Sequence, residues 1–146
     1  MAHQQSFLDG KVILYSLPKT ADSIGRFKNG CERGEVAMIT ADDTIEYVEY
    51  AEFVSAKLKR GHHYHEELTE KLYVLKGSMI VGVIDVFGNK KQTNIHMKEG
   101  DIITIQKNIA HAFFSLEPTM LIIMGYGSRP FEDRNIYKDF DFSKYE

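Results

Sequence analysis

The sequence predicts an all-β protein, and three observations predict it. Short runs rich in Val, Ile, Tyr and Phe recur along the chain, with turn signals about every 8–12 residues. No segment keeps a helical period for more than about 12 residues. The 146 residues, 43% hydrophobic and 27% charged, have the size and balance of one domain around one core. About ten short strands on that scale close into a sandwich or barrel.

Taken in order, residues 12–17 are an apolar run closed by Pro18 and read as a strand. Residues 19–33 are polar, contain Gly25, Asn29 and Gly30, and read as loop. Strand signals follow at 35–40, 45–50 and 53–59, the last two after a turn at 41–44. Residues 72–75 and 79–87 flank Lys76-Gly77-Ser78, a compact hairpin signal. The turn at 88–91 leads to a strand at 92–97, and the turn at 98–101 to a strand at 102–105. Strands at 111–116 and 120–126 complete a motif core of about 45–126. The tail, 130–146, carries Phe131, Tyr137, Phe140, Phe142 and Tyr145, too many aromatics for a solvated end. It is expected to pack along the barrel wall or against a partner subunit.

Charge and composition narrow the function classes. A net charge of −3 supplies no general basic field for nucleic acid. No run of about 18 apolar residues predicts a membrane span, and residues 1–10 lack an apolar signal core. A cytoplasmic protein is the expectation. Cys31 is the only cysteine, reads as structural, and allows no internal disulfide. His3 falls in what reads as a flexible end, and His96 reads as structural.

The chemistry concentrates in residues 61–77, where His62, His63, His65, Glu66, Glu67 and Glu70 fall within nine positions. On one extended strand His63 and His65 point to the same face. A hairpin beyond them would return the Glu70 carboxylate to the two imidazoles. Two imidazoles and a carboxylate at one point suit a divalent ion such as iron, manganese, zinc or nickel. His111 is the candidate fourth ligand, sharing one strand face with Phe113 and Ser115. His62 falls on the opposite face, as does Tyr64. Glu66 and Glu67 read as solvated turn residues, with Glu66 a reserve carboxylate. Gly82 marks a bulge or a close backbone approach.

These residues resemble the cupin superfamily. Its first motif is matched by His63-Tyr64-His65, Glu70 and Gly77, and its second by the run from Gly100-Asp101 to His111. Gln106, Asn108 and Ser115 stand where the family usually has proline, glycine and asparagine. Asn108 is a tolerable replacement because Asn accepts positive φ. The resemblance implies a single-domain double-stranded β-helix, or jelly roll, with His63, His65, Glu70 and His111 around its cavity as metal ligands. It also implies a homodimer. Arg60-Gly61-His62-His63-Tyr64-His65 with Glu70-Lys71-Leu72-Tyr73-Val74-Leu75-Lys76-Gly77 is similar to cupins of sugar-nucleotide metabolism, of the epimerase and ketoisomerase type.

Three functions follow as expectations. The first is a carbohydrate or sugar-nucleotide isomerase or epimerase, with His63, His65 or His111 as base. The second is a metal-dependent iron oxygenase. The third is a binding protein for a small molecule that performs no chemistry. Arg60, Tyr73 and Phe113 are candidate substrate contacts, with Phe114 and Met124 as further pocket or core residues. Arg60 suits an anionic group such as phosphate or carboxylate.

Overall fold

A computed structural model describes residues 3–20, 23–27, 33–41, 43–129 and 131–146. Cys31, with Asn29, Gly30 and Asp42, lies outside the described residues. Among those described, no helix is long and apolar enough to cross a membrane, and the one helical element is a 3-10 turn at Ser143–Tyr145.

Two antiparallel sheets face each other. The larger is built from β1 (His3–Phe7), β2 (Val12–Ser16), β10 (Asp101–Ile105), β7 (Thr69–Lys76), β12 (Thr119–Tyr126) and β5 (Tyr47–Phe53), in that spatial order. The smaller runs β13 (Asn135–Ile136), β6 (Lys59–Tyr64), β11 (Ile109–Ser115), β8 (Ser78–Asp85) and β9 (Thr93–Lys98). A separate hairpin, β3 (Gly25–Phe27) with β4 (Val36–Met38), is tied on by Arg26, which pairs with Glu35 and, at 2.9 Å, with Glu99. This is the expected jelly roll.

The structure corrects several local expectations. The chain crosses from one sheet to the other between β6 and β7 and again at Gly77, so neither connection is a hairpin. Residues 53–59 are not one strand either. The chain turns after Phe53, Lys57 takes φ 66°, and β6 begins at Lys59. His3 is not in a loose end: it pairs with Ser16 in β1. β3 lies within the stretch expected to be loop.

Alternation sorts each strand into an inner and an outer face. Val12, Leu14, Leu72, Val74, Met79, Val81, Val83, Ile95, Met97, Ile103, Ile105 and Leu121 fill most of the barrel interior. The outer face of the small sheet is covered by the tail. Phe142 stacks on Phe114 with ring centroids 5.5 Å apart, and Phe140 stacks on Phe142 at 6.2 Å. Both rings come within 3.1 Å of where a Cβ on Gly82 would sit, a close approach of the tail to this strand.

Candidate active site

One end of the barrel interior is polar. His63, His65, Glu70 and His111 each offer a ligand atom, and these atoms lie within 4.8 Å of one another. Glu70 reaches them from the large sheet, across the barrel from β6 and β11. His65 Nε2 lies 3.3 Å and His111 Nε2 3.1 Å from the same carboxylate oxygen, Glu70 Oε1. The other oxygen accepts the Tyr47 hydroxyl at 2.8 Å. Gly125 stands between Tyr47 and Glu70 in the sheet, and a Cβ there would sit 1.8 Å from the tyrosine ring. The bare backbone at Gly125 is what lets Tyr47 reach across.

The histidine tautomers are set from behind. His65 Nδ1 donates to the Asp133 carbonyl and His111 Nδ1 donates to the Ile109 carbonyl at 3.0 Å. With Nδ1 given to a carbonyl, Nε2 is the atom of each ring that faces Glu70, with a lone pair when the ring is neutral and a proton when it is charged. Neither has hydrogen-bond alignment with Oε1, and both are fully buried without a hydrogen-bond partner. Two buried imidazole nitrogens held in this way beside a carboxylate suit a divalent cation, with backbone carbonyls as outer supports. The donor set fits the metal that the resemblance implies.

The charges follow from these contacts. Burial would raise the Glu70 pKa, but the His111 and His65 rings at Oε1 outweigh it and hold it well below the usual carboxylate range. Burial would lower His65, but Glu70 and Asp133 outweigh it and raise it. Burial, with the neighbouring His111 and His65, pushes His63 down to about 3. His63 is the one ring of the three with no hydrogen bond among the described residues, and its centroid lies 4.7 Å from His111 and 4.9 Å from His65.

A β-bulge orients β6. His111 pairs with His63 but Ala112 pairs with Gly61, so His62 is the extra residue, with φ 66° after Gly61 at φ 87°. The bulge turns Arg60 and His63, three positions apart, onto the same inner face. It turns His62 outward against Phe140, with centroids 5.7 Å apart. Arg60 donates its Nε to the Glu52 carbonyl at 3.1 Å and sits over the Phe53 ring, leaving its outer nitrogens unpaired among the described residues.

A cavity of about 240 Å³ opens above this floor, lined by Arg60, His63, His65, Glu70, Phe113 and Arg134 together with Glu49 and aliphatic wall residues. Of the candidate substrate contacts, Arg60 and Phe113 line this cavity and Tyr73 does not. It lies an odd number of positions from Glu70, faces the outside of the large sheet, and packs with Leu17, Ile102 and Met124. Tyr73 lines instead an open depression on that outer face with Ala37, Ile39 and Leu75, and Met124 and Phe114 belong to outer clusters. Glu66 is exposed, and Ser115 is occupied by Ser55 and Leu58.

Tyr47, Asp133 and Arg134 were not anticipated. Alternation with Phe53 along β5 is the signal that could have placed Tyr47 inside. Asp133 carries no such signal. Its carboxylate accepts the backbone N–H groups of Glu66, Glu67 and Leu68 at 2.8, 2.7 and 3.0 Å, fixing the crossing loop between His65 and Glu70.

A family model described as Cupin matches residues 59–144. No curated protein matches the chain. Among solved structures, a dTDP-4-dehydrorhamnose 3,5-epimerase from Bacillus anthracis with TDP and PPi bound is similar at TM-score 0.76 and 13% identity, over 98% of this chain and 87% of that one. The same enzyme type from Sulfolobus tokodaii gives 0.72 and 16%, over 99% and 84%. A variant of a 3,4-ketoisomerase from Thermoanaerobacterium thermosaccharolyticum, in complex with TDP-4-keto-6-deoxyglucose, gives 0.66 and 18%, over 92% and 91%. At these identities the likeness establishes the fold.

Proposed function

The chain belongs to the cupin family, and on that premise we propose that it isomerises or epimerises a keto sugar carried on a nucleoside diphosphate. The observation that carries this reading is the convergence of three imidazoles and a carboxylate, of which His63, His65 and Glu70 line a small cavity with arginines at its edge. The solved enzymes of similar fold, named for 3,5-epimerase and 3,4-ketoisomerase activities, support it.

In this reading His63 is the base. Its ring is neutral and untied, so a lone pair is available to take the proton from the carbon next to the ketone. The C–H electron pair moves to the carbonyl oxygen. For epimerisation a proton from water is delivered to the opposite face of the same carbon and His63 keeps the one it took; for isomerisation the hydroxyl proton on the deprotonated carbon passes to the former carbonyl oxygen and His63 returns its proton to the former carbonyl carbon. An anionic substrate raises the His63 pKa towards neutrality and strengthens it as a base. Phe113, Leu72, Leu121 and Ile123 exclude water from the sugar, and Arg60 meets an anionic or carbonyl oxygen at the rim.

A second reading is favoured by the two buried Nε2 atoms without hydrogen bonds. There His63, His65, Glu70 and His111 hold a divalent ion, which supplies Lewis-acid chemistry to a carbonyl or, as iron, the chemistry of an oxygenase. His63 is then a ligand rather than a base. A homodimer belongs to the proposal as well, supported by exposed Val48, Tyr50 and Met120 on the outer face of the large sheet, and so does a cytoplasmic location.

The test is incubation with TDP-4-keto-6-deoxyglucose, with the sugar product read by NMR, on protein whose metal content has been measured after purification without added metal. A rearranged sugar from metal-free protein supports the first reading. Stoichiometric metal with oxygen uptake and no rearrangement supports the second. Binding without turnover in either condition leaves a non-catalytic binding protein.

A further inference from the structure

The cavity at the imidazoles is about 240 Å³, below the roughly 300–1,000 Å³ that encloses a whole drug-sized ligand. A sugar ring fits that space and a sugar nucleotide does not, so the rest of such a substrate lies outside the rim. A second, open depression of about 560 Å³ adjoins the cavity. It is lined by Gly61, His62, His63, Arg134, Ile136 and Lys138, and it shares Gly61, His63 and Arg134 with the cavity.

The tail builds this depression by alternation. Arg134, Ile136 and Lys138 are two positions apart and turn to the same side. The segment is pinned to the strand that carries the site: Asn135 pairs with Tyr64, Ile136 pairs with His63, and the Tyr137 N–H donates to the His62 carbonyl at 2.8 Å. The backbone that carries both cations is therefore held beside the site before any ligand arrives. Neither forms an ion pair among the described residues, and no carboxylate lines the depression. The acids of the adjoining cavity are Glu49 and Glu70, and Glu70 is turned to the His65 and His111 rings. On a chain of net charge −3 this is a local basic spot at the mouth of the site.

We propose that this depression binds the diphosphate of the substrate through Arg134 and Lys138, so that the C-terminal segment selects phosphorylated sugars. Arginine supplies a planar two-point contact to phosphate and lysine a point charge. The sugar then passes the rim beside Arg60 and reaches His63, and the nucleoside remains on the outside. This rests on the nucleoside-diphosphate reading above.

The experiment is calorimetric titration with dTDP, inorganic pyrophosphate and thymidine, on the full chain and on Arg134→Gln, Lys138→Gln and the double variant, with circular dichroism on each. Both side chains are exposed, so the variants keep the fold. The chain is expected to bind dTDP and pyrophosphate but not thymidine. Each single variant should weaken both by about tenfold to a hundredfold, as the loss of a charged hydrogen-bond partner does. Unchanged dTDP binding in the double variant overturns the site, and so does a chain that binds no phosphate probe. Turnover of TDP-4-keto-6-deoxyglucose unaltered in the double variant overturns the site while the function stands. Pyrophosphate binding lost with Arg134 but no turnover of any keto sugar supports the site and removes the function.

Discussion

Replacing Asp133 by alanine tests how the crossing loop is held. Its carboxylate takes three backbone N–H groups, and its own carbonyl takes His65 Nδ1–H. Burial would raise the Asp133 pKa, but the N–H groups of Glu66 and Glu67, the His65 charge and the Leu68 N–H outweigh it and lower it, so the group is an anion when it accepts them. In Asp133→Ala, the exposed Glu66 and Glu67 amides regain solvent, and each lost bond costs about 1 kcal/mol. Leu68 is 1% exposed, and its amide, left without a partner, costs about 1–3 kcal/mol more. The total is about 3–5 kcal/mol, or roughly 10 °C in melting temperature for a chain of this size. Urea and thermal unfolding measure the loss. Below the melting transition, turnover should fall further than the folded fraction, because the loop sets both His65 and Glu70. Asp133→Asn keeps one acceptor oxygen and should fall between. An alanine variant within about 1 kcal/mol of the parent, with unchanged activity, would refute the reasoning.

Three more outcomes are expected. Gly125→Ala pushes the Tyr47 ring off β12 and removes the hydroxyl from Glu70, so activity should drop as far as in Tyr47→Phe; a fully active alanine variant contradicts the role given to Tyr47. Metal-free protein should lose stability on acidification. Between about 6.5 and about 3 the unfolded chain binds the His63 proton and the folded chain does not, so stability falls as pH falls through that window. The ring is only partly buried, and screening limits this to on the order of 2 kcal/mol. The depressed Glu70 adds to the loss at lower pH, whereas the His65 contribution is present below about 6.5 and lost as pH rises through its raised folded value. Thermal melts of the chelator-treated parent and of His63→Gln between pH 7 and pH 4 check this, and the variant should show the flatter profile. In the metal-holding arrangement, His65→Ala or His111→Ala should lower affinity for added cobalt or zinc by at least about a hundredfold with circular dichroism unchanged; equal metal content in both would reject the ligand set.

The site floor was legible because four residues, three histidines and a glutamate, sit at a recognisable spacing, and strand period put His111 inward. What the period could not show was where it breaks. The bulge at His62 brings Arg60 to the inner face, against simple alternation with His63. The facing of Tyr73 was legible: three positions from Glu70 on an unbroken strand, it has to face outward. The hairpins expected at 65–70 and at Gly77 are sheet crossings, and a turn signal looks the same for either. Asp133 and Arg134 act from a segment more than sixty residues beyond His63 and His65, through backbone groups that no local pattern marks. The aromatic tail announced that it would pack, but not that it would bring a cation to the cavity.

The most direct measurement of the central claim is solvent deuterium entering the sugar. The parent chain is incubated in heavy water with TDP-4-keto-6-deoxyglucose, and the recovered nucleotide sugar is read by mass spectrometry and NMR. Deuterium at carbon next to the ketone, in the parent and not in His63→Gln, is the result expected of a base held at that floor. A parent that exchanges nothing, or a His63→Gln variant that exchanges at the parental rate, would contradict it.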